Sequence, residues 1–377
     1  MKRALFTAAM LLSLTACSED VDPQSTTTGG TDTTTTGGMT TTTGGTELQG
    51  DPLAVPVPEA GRVFVKLDPL AIVTPEGDGT TSTGWDLAFE GFGAYTNSGP
   101  SGVGTGGAFG PLDVNEFLQD GLPEVPFILE DATGGAFVGW YFYEGTSHAL
   151  WSRYHVYGIR DGKRLWKVQI LGYYGDSNGA PVSALYQLRY AEVFADSVGP
   201  TQTLAKIDGT AGGLAESPTA TSACVDFGTN AVTQLTLADA HMSSAWHICF
   251  RRDKIFVNGE LGGPRGVTAV DLDEAASDSE TIEKIKARTA ATELSRFDAV
   301  NNAKLSDPAL AYHGDRVVSA FSDHWIDPAA SPLAPVAATW LVAASDGEKK
   351  HMVTFDGFDS PNAKSPGTVR LRRKIIK

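Results

Sequence analysis

The sequence predicts an all-β protein with mainly antiparallel sheets. Alternating apolar and polar residues flank two Asp-Gly pairs, at 161–162 and 346–347, and such runs are the strongest short-range signal for an antiparallel hairpin. An internal repeat is the second observation, because GWDLAFEGFGAYTNSG at 84–99 returns as AWHICFRRDKIFVNGE at 245–260. The chain is therefore expected to contain two copies of one β unit.

The first residues predict an exported chain. Lys2 and Arg3 precede an apolar run at 4–14, followed by Leu-Thr-Ala-Cys, and this order is typical of a secretory signal. The run is too short to cross a bilayer, which takes about 20 residues. The ending resembles a bacterial lipobox, in which residues 1–16 are removed and Cys17 is acylated. The alternative is an ordinary secretory signal with an unmodified cysteine.

Residues 17–57 are predicted to form the lipidated cysteine and a disordered tether. The unit TTTGG occurs three times between 26 and 45, and this composition cannot bury enough apolar surface to fold. A flexible coil over 18–50 would reach roughly 30 Å. Whether its threonines carry O-linked sugar stays open.

The charge and the anchor together predict a location. The net charge of −16 argues against nucleic acid or an anionic lipid surface as a partner. Acyl chains on Cys17 would still hold the chain at a membrane. We therefore expect a lipid-anchored protein of the outer membrane or cell surface of a Gram-negative bacterium.

Both halves show the same order of elements: an opening strand, a tryptophan strand, a glycine-rich loop, an insertion, an Asp-Gly hairpin and a closing strand. The expected domains are 58–196 and 219–377, joined by a linker at 197–218 in which Gly, Pro, Thr and Ser collect. The predicted strands and hairpins are 62–67, the strand at Trp85, 154–174 and 185–193 in the first half, and 222–227, the strand at Trp246, 339–359 and 368–376 in the second.

The insertion of the second half is longer by 24 residues. A short helix is predicted over 277–297, because Ser277 and Glu280 form a capping-box pattern. The apolar residues expected on one face of this helix are Ile282, Ile285, Leu294 and Phe297.

The glycines at 102–107 spell G-x-G-x-x-G. A dinucleotide site needs such glycines to begin a helix, but Gly110 and Pro111 block a helical first turn. Glu130 is the only residue that keeps a ribose contact in view. We instead expect a wide turn beside the tryptophan strand, with glycines in positive φ.

Catalytic patterns find little support. Ser101 lacks the strand-Ser-helix elbow that exposes a nucleophile, and no carboxylates pair on matched strands. We predict that the protein is not an enzyme, and a secreted hydrolase is the distant alternative.

A disulfide is predicted between Cys224 and Cys249. The chain is exported to an oxidising compartment, and these two thiols lie on the opening and tryptophan strands of one repeat. Neighbouring strands are about 4.8 Å apart, which suits disulfide geometry.

Aromatic residues are dense in the first half. They could line a ligand groove, although core packing is the favoured interpretation. These residues are Trp140, Tyr141, Tyr143, Trp151 and Tyr154.

Three strings resemble the signature of the HmuY family: WDLAF at 85–89, TNSG at 96–99 and GGAF at 106–109, followed by the hairpin block VYGIRDGKRLWKVQILGYY. The second half is similar but degraded, with His247 and Cys249 in place of an aspartate and an alanine. The resemblance implies two tandem HmuY-like β domains. It also implies a non-enzymatic surface lipoprotein that captures haem for an outer-membrane receptor.

Members of that family hold haem through two axial histidines or methionines. In the first half the later ligand position falls near Glu144 and Gly145, with His148 three residues beyond. In the second half His313 and His324 are the axial candidates, because neutral imidazoles from two segments could close on one iron. The alternative is that both are ordinary surface histidines.

The other histidines are assigned no ligand role. His155, His247 and His351 are interpreted as strand residues, and His241 has no metal-site spacing. No metal site is predicted.

Two functions stay open. The first is a surface lipoprotein that binds haem or another flat apolar ligand. The second is an interaction or structural lipoprotein that binds a protein or a glycan without haem.

Overall fold

A computed structural model of the chain describes residues 49–213, 216–322 and 324–376. Strands make up 43% of it and helices 9%. The fold class is therefore all-β, as the sequence predicts.

The first part of the chain contributes twelve strands within the described residues. They are β1 (Asp51–Pro56), β2 (Val63–Leu67), β3 (Leu70–Val73), β4 (Leu87–Glu90), β5 (Gly93–Thr96), β6 (Gly107–Asp113), β7 (Ala132–Gly134), β8 (Tyr141–Glu144), β9 (Ala149–Ser152), β10 (Val156–Asp161), β11 (Arg164–Ser177) and β12 (Ala180–Val193). A 3₁₀ helix over Val114–Leu118 follows β6.

The second part repeats the pattern and adds short helices. Its strands are β13 (Gln202–Asp208), β14 (Ser222–Asp226), β15 (Ala231–Leu235), β16 (Ile248–Arg251), β17 (Lys254–Val257), β18 (Thr268–Asp271), β19 (Arg316–Val318), β20 (Ile326–Asp327), β21 (Ala334–Pro335), β22 (Ala338–Ala343), β23 (Lys350–Asp359) and β24 (Thr368–Ile375). Its helices are α1 (Leu237–Met242), a 3₁₀ helix over Glu274–Ser279, α2 (Ile282–Lys286), α3 (Leu294–Asp298) and α4 (Asn302–Leu305).

One sandwich is built from both ends of the chain, 51–131 and 316–376, and is called the terminal unit here. Its four-stranded sheet has the order β3-β2-β4-β5 and its five-stranded sheet the order β1-β24-β23-β22-β6. Their facing sides share one core that includes Leu87, Trp340 and Leu371.

The second sandwich, called the central unit, is built from 132–315. Its sheets have the orders β15-β14-β16-β17 and β13-β12-β11-β10-β18. The core between them includes Trp166, Tyr186 and Phe250. In each unit we call the five-stranded sheet the hairpin sheet, and the side facing away from this core its outer face.

The two copies of the repeat exchange their hairpins. In the terminal unit, β22 of the second copy pairs with β6 of the first. In the central unit, β10 of the first copy pairs with β18 of the second. Each core therefore draws on both copies.

The chain crosses between the units through a two-stranded ribbon. In it β7 pairs with β19, and Thr133 faces Val317 at its centre. Asp131 directly precedes β7 and Asp315 directly precedes β19. The ribbon is thus the place where both copies pass into the opposite unit.

The predicted domains do not match this division. The boundary between 58–196 and 219–377 cuts the central core, because each copy completes its sheet with strands of the other. The predicted linker, 197–218, contains β13, which pairs with β12. Residues 51–56 of the predicted tether form β1 and pair with β24. Val55 of this strand is fully buried in the core.

The repeated tryptophans form the same lock in both units. The Trp85 indole donates to Gly79 O at 2.8 Å, and the Trp246 indole donates to Ala240 O at 3.0 Å. Both tryptophans are buried. Each therefore holds the segment that precedes its own strand, which is a turn in the terminal unit and α1 in the central unit.

The repeated asparagines complete these locks. The Asn97 amide donates to Ser82 O and Trp85 O, both at 2.9 Å. Asn258 donates to Ser243 O at 2.8 Å and Trp246 O at 3.0 Å. Each Oδ1 also accepts a backbone N–H from the glycine-rich loop at 3.0 Å. The repeat in the sequence is thus a repeated hydrogen-bond network.

The single helix predicted over 277–297 is replaced by the two helices α2 and α3. In the segment between α2 and α3, the hydroxyls of Thr289 and Thr292 accept each other's backbone N–H groups. Such local bonds compete with the backbone hydrogen bonds of a helix. Thr281, rather than Ser277, caps α2. Ile285 and Phe297 are buried as predicted, whereas Leu294 is exposed.

Candidate functional site

The outer face of the terminal hairpin sheet carries a second, smaller apolar cluster. Alternation along β22 and β23 directs Leu341 and Met352 away from the main core, and both are fully buried. Phe117 of the 3₁₀ helix packs on them, together with Val125 and Ile128. One short segment of loop thus covers this face.

The cover leaves a groove with a volume of about 490 Å³. Leu341 contributes from the sheet, and the loop over 122–128 forms the opposite wall. Leu122 at the mouth is 50% exposed. The lining residues are Leu122, Pro123, Glu124, Val125, Phe127, Ile128, Leu341 and Lys350. A volume of this size lies within the usual range for small-molecule sites.

Two ionisable side chains border the groove. Lys350 begins β23 and is half-buried, and Glu124 on the loop is exposed. Among the residues that the structure describes, neither the Lys350 ammonium nor the Glu124 carboxylate has a hydrogen-bonding or ionic partner. The groove therefore combines an apolar lining with an ammonium and a carboxylate that are unpaired among the described residues.

In the central unit the same face is filled by the chain itself. Phe297, Val300 and Leu305, from α3, the residues after it and α4, are fully buried against Val156 and Leu165 of the hairpin sheet. The longer insertion thus covers the central outer face, whereas the shorter segment over 114–128 covers the terminal outer face and leaves a groove beside it.

A lysine takes part in this closure. Lys167 on the outer face donates to Phe297 O at 2.8 Å and to Val300 O at 3.0 Å. Its ammonium also lies 4.5 Å from the centroid of the Phe297 ring. An apolar body and two oxygen acceptors therefore occupy this face together.

A buried ionic cluster holds the insertion in place. His155 bonds Asp271 at 2.7 Å and Glu280 at 3.2 Å. Burial disfavours the His155 cation, but these two carboxylates outweigh it and raise the pKa of His155 to about 9. Arg153 and Arg288 also bind Glu280.

Glu280 is ionised by the same contacts. Its burial opposes ionisation, but the bonds from His155 and the two arginines prevail and lower its pKa to about 2. The cluster explains why Glu280 does not serve as the predicted capping residue.

The predicted axial histidines lie in different parts of the molecule. The main chain of His313 pairs with Ala269 in the central unit, and His313 Nδ1 lies 2.7 Å from Gly314 O. His324 lies in the terminal unit, next to buried Trp325. His313 and His324 thus belong to opposite units.

His148 lies on the turn between β8 and β9 of the central unit. It is exposed, and its Nδ1 lies 2.5 Å from the Tyr143 hydroxyl. It adopts a positive φ of 56°, a conformation that costs energy for a non-glycine residue. It does not border the groove.

His155, His247 and His241 contact other groups through their rings, whereas the buried ring nitrogens of His351 have no hydrogen-bond partner within the described residues. His155 and His247 each precede a strand by one residue instead of lying within it. His247 Nδ1 accepts the Phe227 N–H at 3.1 Å, and burial lowers the pKa of His247 to about 4. His351 lies in β23 as predicted. His241 stacks edge-on against Phe256.

The glycine-rich loop is not a phosphate cradle, since the strand β6 follows it. Its glycines are required for space instead of the predicted positive φ. A Cβ on Gly102 would lie 2.2 Å from Asn97 Oδ1, and one on Gly263 would lie 2.3 Å from Asn258 Oδ1. Glu130 is exposed beside the crossing. The glycines therefore serve the tryptophan locks.

Ser101 binds a buried aspartate at the crossing. Asp131 accepts from Ser101 Oγ at 2.6 Å, Thr96 Oγ1 at 2.8 Å and Thr96 N at 3.1 Å. Burial raises the pKa of Asp131 to about 7, against the effect of these donors. Ser101 is thus part of the fold's polar framework.

Asp315 stands at the equivalent point of the second copy with fewer donors. Its Oδ2 accepts from Val257 N at 3.0 Å, and its buried Oδ1 has no partner within the described chain. Burial raises the pKa of Asp315 to about 8. Sequence reasoning missed the role of both aspartates. The replacement of Ser101 in the first copy by Gly262 in the second was a signal that the two sites differ.

The two cysteines among the described residues form the predicted disulfide. Cys224 and Cys249 are directly opposed on β14 and β16 and form a disulfide, with their Cα atoms 4.0 Å apart. Cys17 and the signal, together with most of the predicted tether, lie outside the described residues.

The aromatic residues of the first half are divided between core and surface. Trp140 and Tyr141 are buried in the central core. Tyr143, Trp151 and Tyr154 are half-buried. Core packing is therefore the correct interpretation for the first two.

No helix within the described ranges is long and apolar enough to cross a bilayer. Among the same residues, no group of three or more His, Cys, Asp or Glu side chains is placed to hold a metal ion.

The fold defines an all-β protein of two sandwiches that share exchanged hairpins. No protein-family model matches the chain, and neither does any of the curated proteins.

Proposed function

We propose that this chain is a lipid-anchored, non-enzymatic binding protein of the bacterial cell surface, and that it holds an apolar small molecule in the groove of the terminal unit. The groove carries the proposal. Membership of the HmuY family is part of it and rests on the strings at 85–89, 96–99 and 106–109.

The comparison of the two outer faces supports a binding role. The central face is covered by side chains that bury completely, whereas the cover of the terminal face leaves a groove lined by Val125, Phe127 and Ile128. Burial of apolar surface stabilises a complex by roughly 25 cal/mol per Å². An apolar ligand would therefore gain in the terminal unit what the helices gain in the central unit.

Haem is the ligand that the family resemblance suggests, and the residues of the groove do not fit it as an axial site. The lining contains no histidine or methionine. His313 and His324 belong to opposite units, and His148 stands alone on an exposed turn. The groove itself supports an apolar ligand held without iron ligation.

A fluorescent probe tests the groove. The chain carrying Cys17→Ser, which cannot be acylated, is titrated with the neutral dye N-phenyl-1-naphthylamine. We expect saturable binding at one site, which Leu122→Lys at the mouth weakens at least tenfold. The matched control is Leu294→Lys, because Leu294 is similarly exposed on the filled face. The proposal is wrong if no saturable binding occurs, or if both variants bind like the parent.

Haemin separates the two ligand hypotheses. If it enters the groove, its spectrum should shift without a six-coordinate low-spin form, and Leu122→Lys should reduce the shift. A six-coordinate low-spin spectrum that is lost in both His313→Ala and His324→Ala would instead favour haem capture by these histidines.

The anchor has its own test. Cells that express the wild-type chain should incorporate labelled palmitate into it, and Cys17→Ser should release it from membranes, because the proposed acyl chains are its attachment. Wild-type chain without label would refute the lipoprotein part of the proposal.

A further inference from the structure

We propose that the ligand of the groove is a fatty acid, with its carboxylate paired to Lys350 and its acyl chain lying against Phe127 and Ile128. This inference rests on the proposed function and names the ligand class of the same site.

The central unit shows what this sheet face accommodates. There the outer face binds an apolar body, formed by Phe297, Val300 and Leu305. Lys167, on the same face, donates hydrogen bonds to the carbonyl oxygens of Phe297 and Val300, in α3 and just after it. The filled face thus pairs an apolar surface with a lysine that binds oxygen.

The terminal face is covered in part by Phe117, whose carbonyl accepts from Lys374, and the groove beside this cover offers an apolar lining and a second lysine. Lys350 lies two residues along the equivalent strand from the position that matches Lys167, and alternation puts both positions on the outer face. Apolar lining extends from Leu341 to Phe127 and Ile128. An apolar molecule that ends in an oxygen acceptor would supply what α3 and its carbonyls supply in the central unit.

Lys350 is distinguished from the cations around it because those are already paired. Lys349 binds Asp68 at 2.7 Å on the other side of the hairpin. Lys374 donates to Phe117 O and to Gln119 O at the end of the 3₁₀ helix. Unlike Lys349 and Lys374, the Lys350 ammonium is without a partner among the described residues and is available to a ligand.

The charge balance favours a monoanion. The chain has a net charge of −16, and exposed Glu124 borders the same groove. A phosphate head with two charges would face this carboxylate with only one lysine to offset it. A carboxylate carries one charge and forms a charge-assisted bond with an ammonium.

Displacement of N-phenyl-1-naphthylamine measures the head-group preference. The Cys17→Ser chain is titrated with dodecanoate, dodecanol and dodecyl phosphate below their aggregation limits. We expect dodecanoate to bind at least tenfold more tightly than either competitor. Lys350→Gln should abolish the preference, whereas Lys350→Arg should keep it. Lys349→Gln is the matched control, since it removes the adjacent lysine outside the groove.

Each other outcome is decisive. If dodecanol displaces the dye as well as dodecanoate, the fatty-acid inference is wrong while the proposed groove function stands. Tighter binding of dodecyl phosphate overturns the carboxylate in favour of a phosphate head. A preference that survives Lys350→Gln overturns the role of Lys350. If the dye itself does not bind, the proposed function fails first.

Discussion

The two units share one framework and differ in how their outer faces are covered. Trp85 and Asn97 make the same hydrogen bonds in the terminal unit as Trp246 and Asn258 make in the central unit. The central face is sealed by α3 and α4, and the terminal face keeps a groove. The framework thus specifies the sandwich, and the insertion decides whether a site remains.

A second difference lies beside the tryptophan locks. In the terminal unit Phe64 packs on Trp85 at 5.1 Å between ring centroids, with Ala88 next to them. In the central unit the equivalent pair is the disulfide between Cys224 and Cys249. Its loop spans 25 residues, and closing a loop of that size stabilises a fold by about 3 kcal/mol. One unit uses packing where the other uses a covalent bond.

The crossing aspartates differ in the same manner. Asp131 has three donors, whereas Asp315 has one, because Val257 and Gly262 replace the hydroxyl-bearing Thr96 and Ser101. Fewer donors leave burial less opposed, and the pKa of Asp315 is accordingly the higher of the two.

The largest expected effect comes from opening the sealed face. Phe297→Ala should destabilise the central unit by about 4 kcal/mol, since a buried phenylalanine leaves a cavity. It should also create a second binding site for N-phenyl-1-naphthylamine. Urea unfolding and dye titration measure both effects. Leu294→Ala, an exposed change on the same helix, is the control. Unchanged dye stoichiometry would show that the sealed face is not a hidden counterpart of the groove.

A somewhat smaller effect tests the shared framework. Asn97→Ala and Asn258→Ala should each cost about 3 kcal/mol, because each leaves buried carbonyl and N–H groups without partners. The two losses, measured by urea unfolding, should agree within about 1 kcal/mol. Asn115→Ala, at an exposed position, serves as the reference. A large loss from one variant alone would contradict the equivalence of the two locks.

The smallest effect concerns pH. The folded pKa of Asp315 is raised above the ordinary aspartate value, so its stabilising contribution is complete below about pH 4 and is lost as pH rises through about 8. Asp315→Asn mimics the protonated acid and should remove about 2 kcal/mol of the decline between pH 6 and 8.

Thermal or urea unfolding at several pH values measures this decline. Asp131→Asn should change the loss of stability less near pH 8, because the pKa of Asp131 is about 7 and the loss that its ionisation causes is complete at a lower pH. Equal profiles for Asp315→Asn and the parent would show that Asp315 is ionised in the folded chain.

Much of the fold could be predicted from local patterns. The predicted Asp-Gly hairpins correspond to β10–β11 and β22–β23. The opening and closing strands begin and end within two residues of their predicted bounds, except that β12 begins earlier. The disulfide followed from two cysteines on adjacent strands. These features depend on neighbours in sequence or on strands of one copy, so a linear pattern contains them.

The helix predicted over 277–297 does not form as one element, because of one local interaction and one long-range interaction. Thr289 and Thr292 interrupt the ladder, and Glu280 is drawn into the cluster around His155. A capping pattern cannot reveal that its glutamate has a partner 125 residues away.

The sequence by itself determined the β class, the repeat with its matched tryptophans and asparagines, and the disulfide, because alternation, turn chemistry and the repeat are encoded residue by residue. Only the tertiary structure decided which hairpin joins which sheet, since both copies present compatible strands and the exchanged pairings appear only in the fold. It also decided where a groove remains. That outcome depends on whether an insertion is long enough to bury its apolar side chains on a sheet that comes from the other copy.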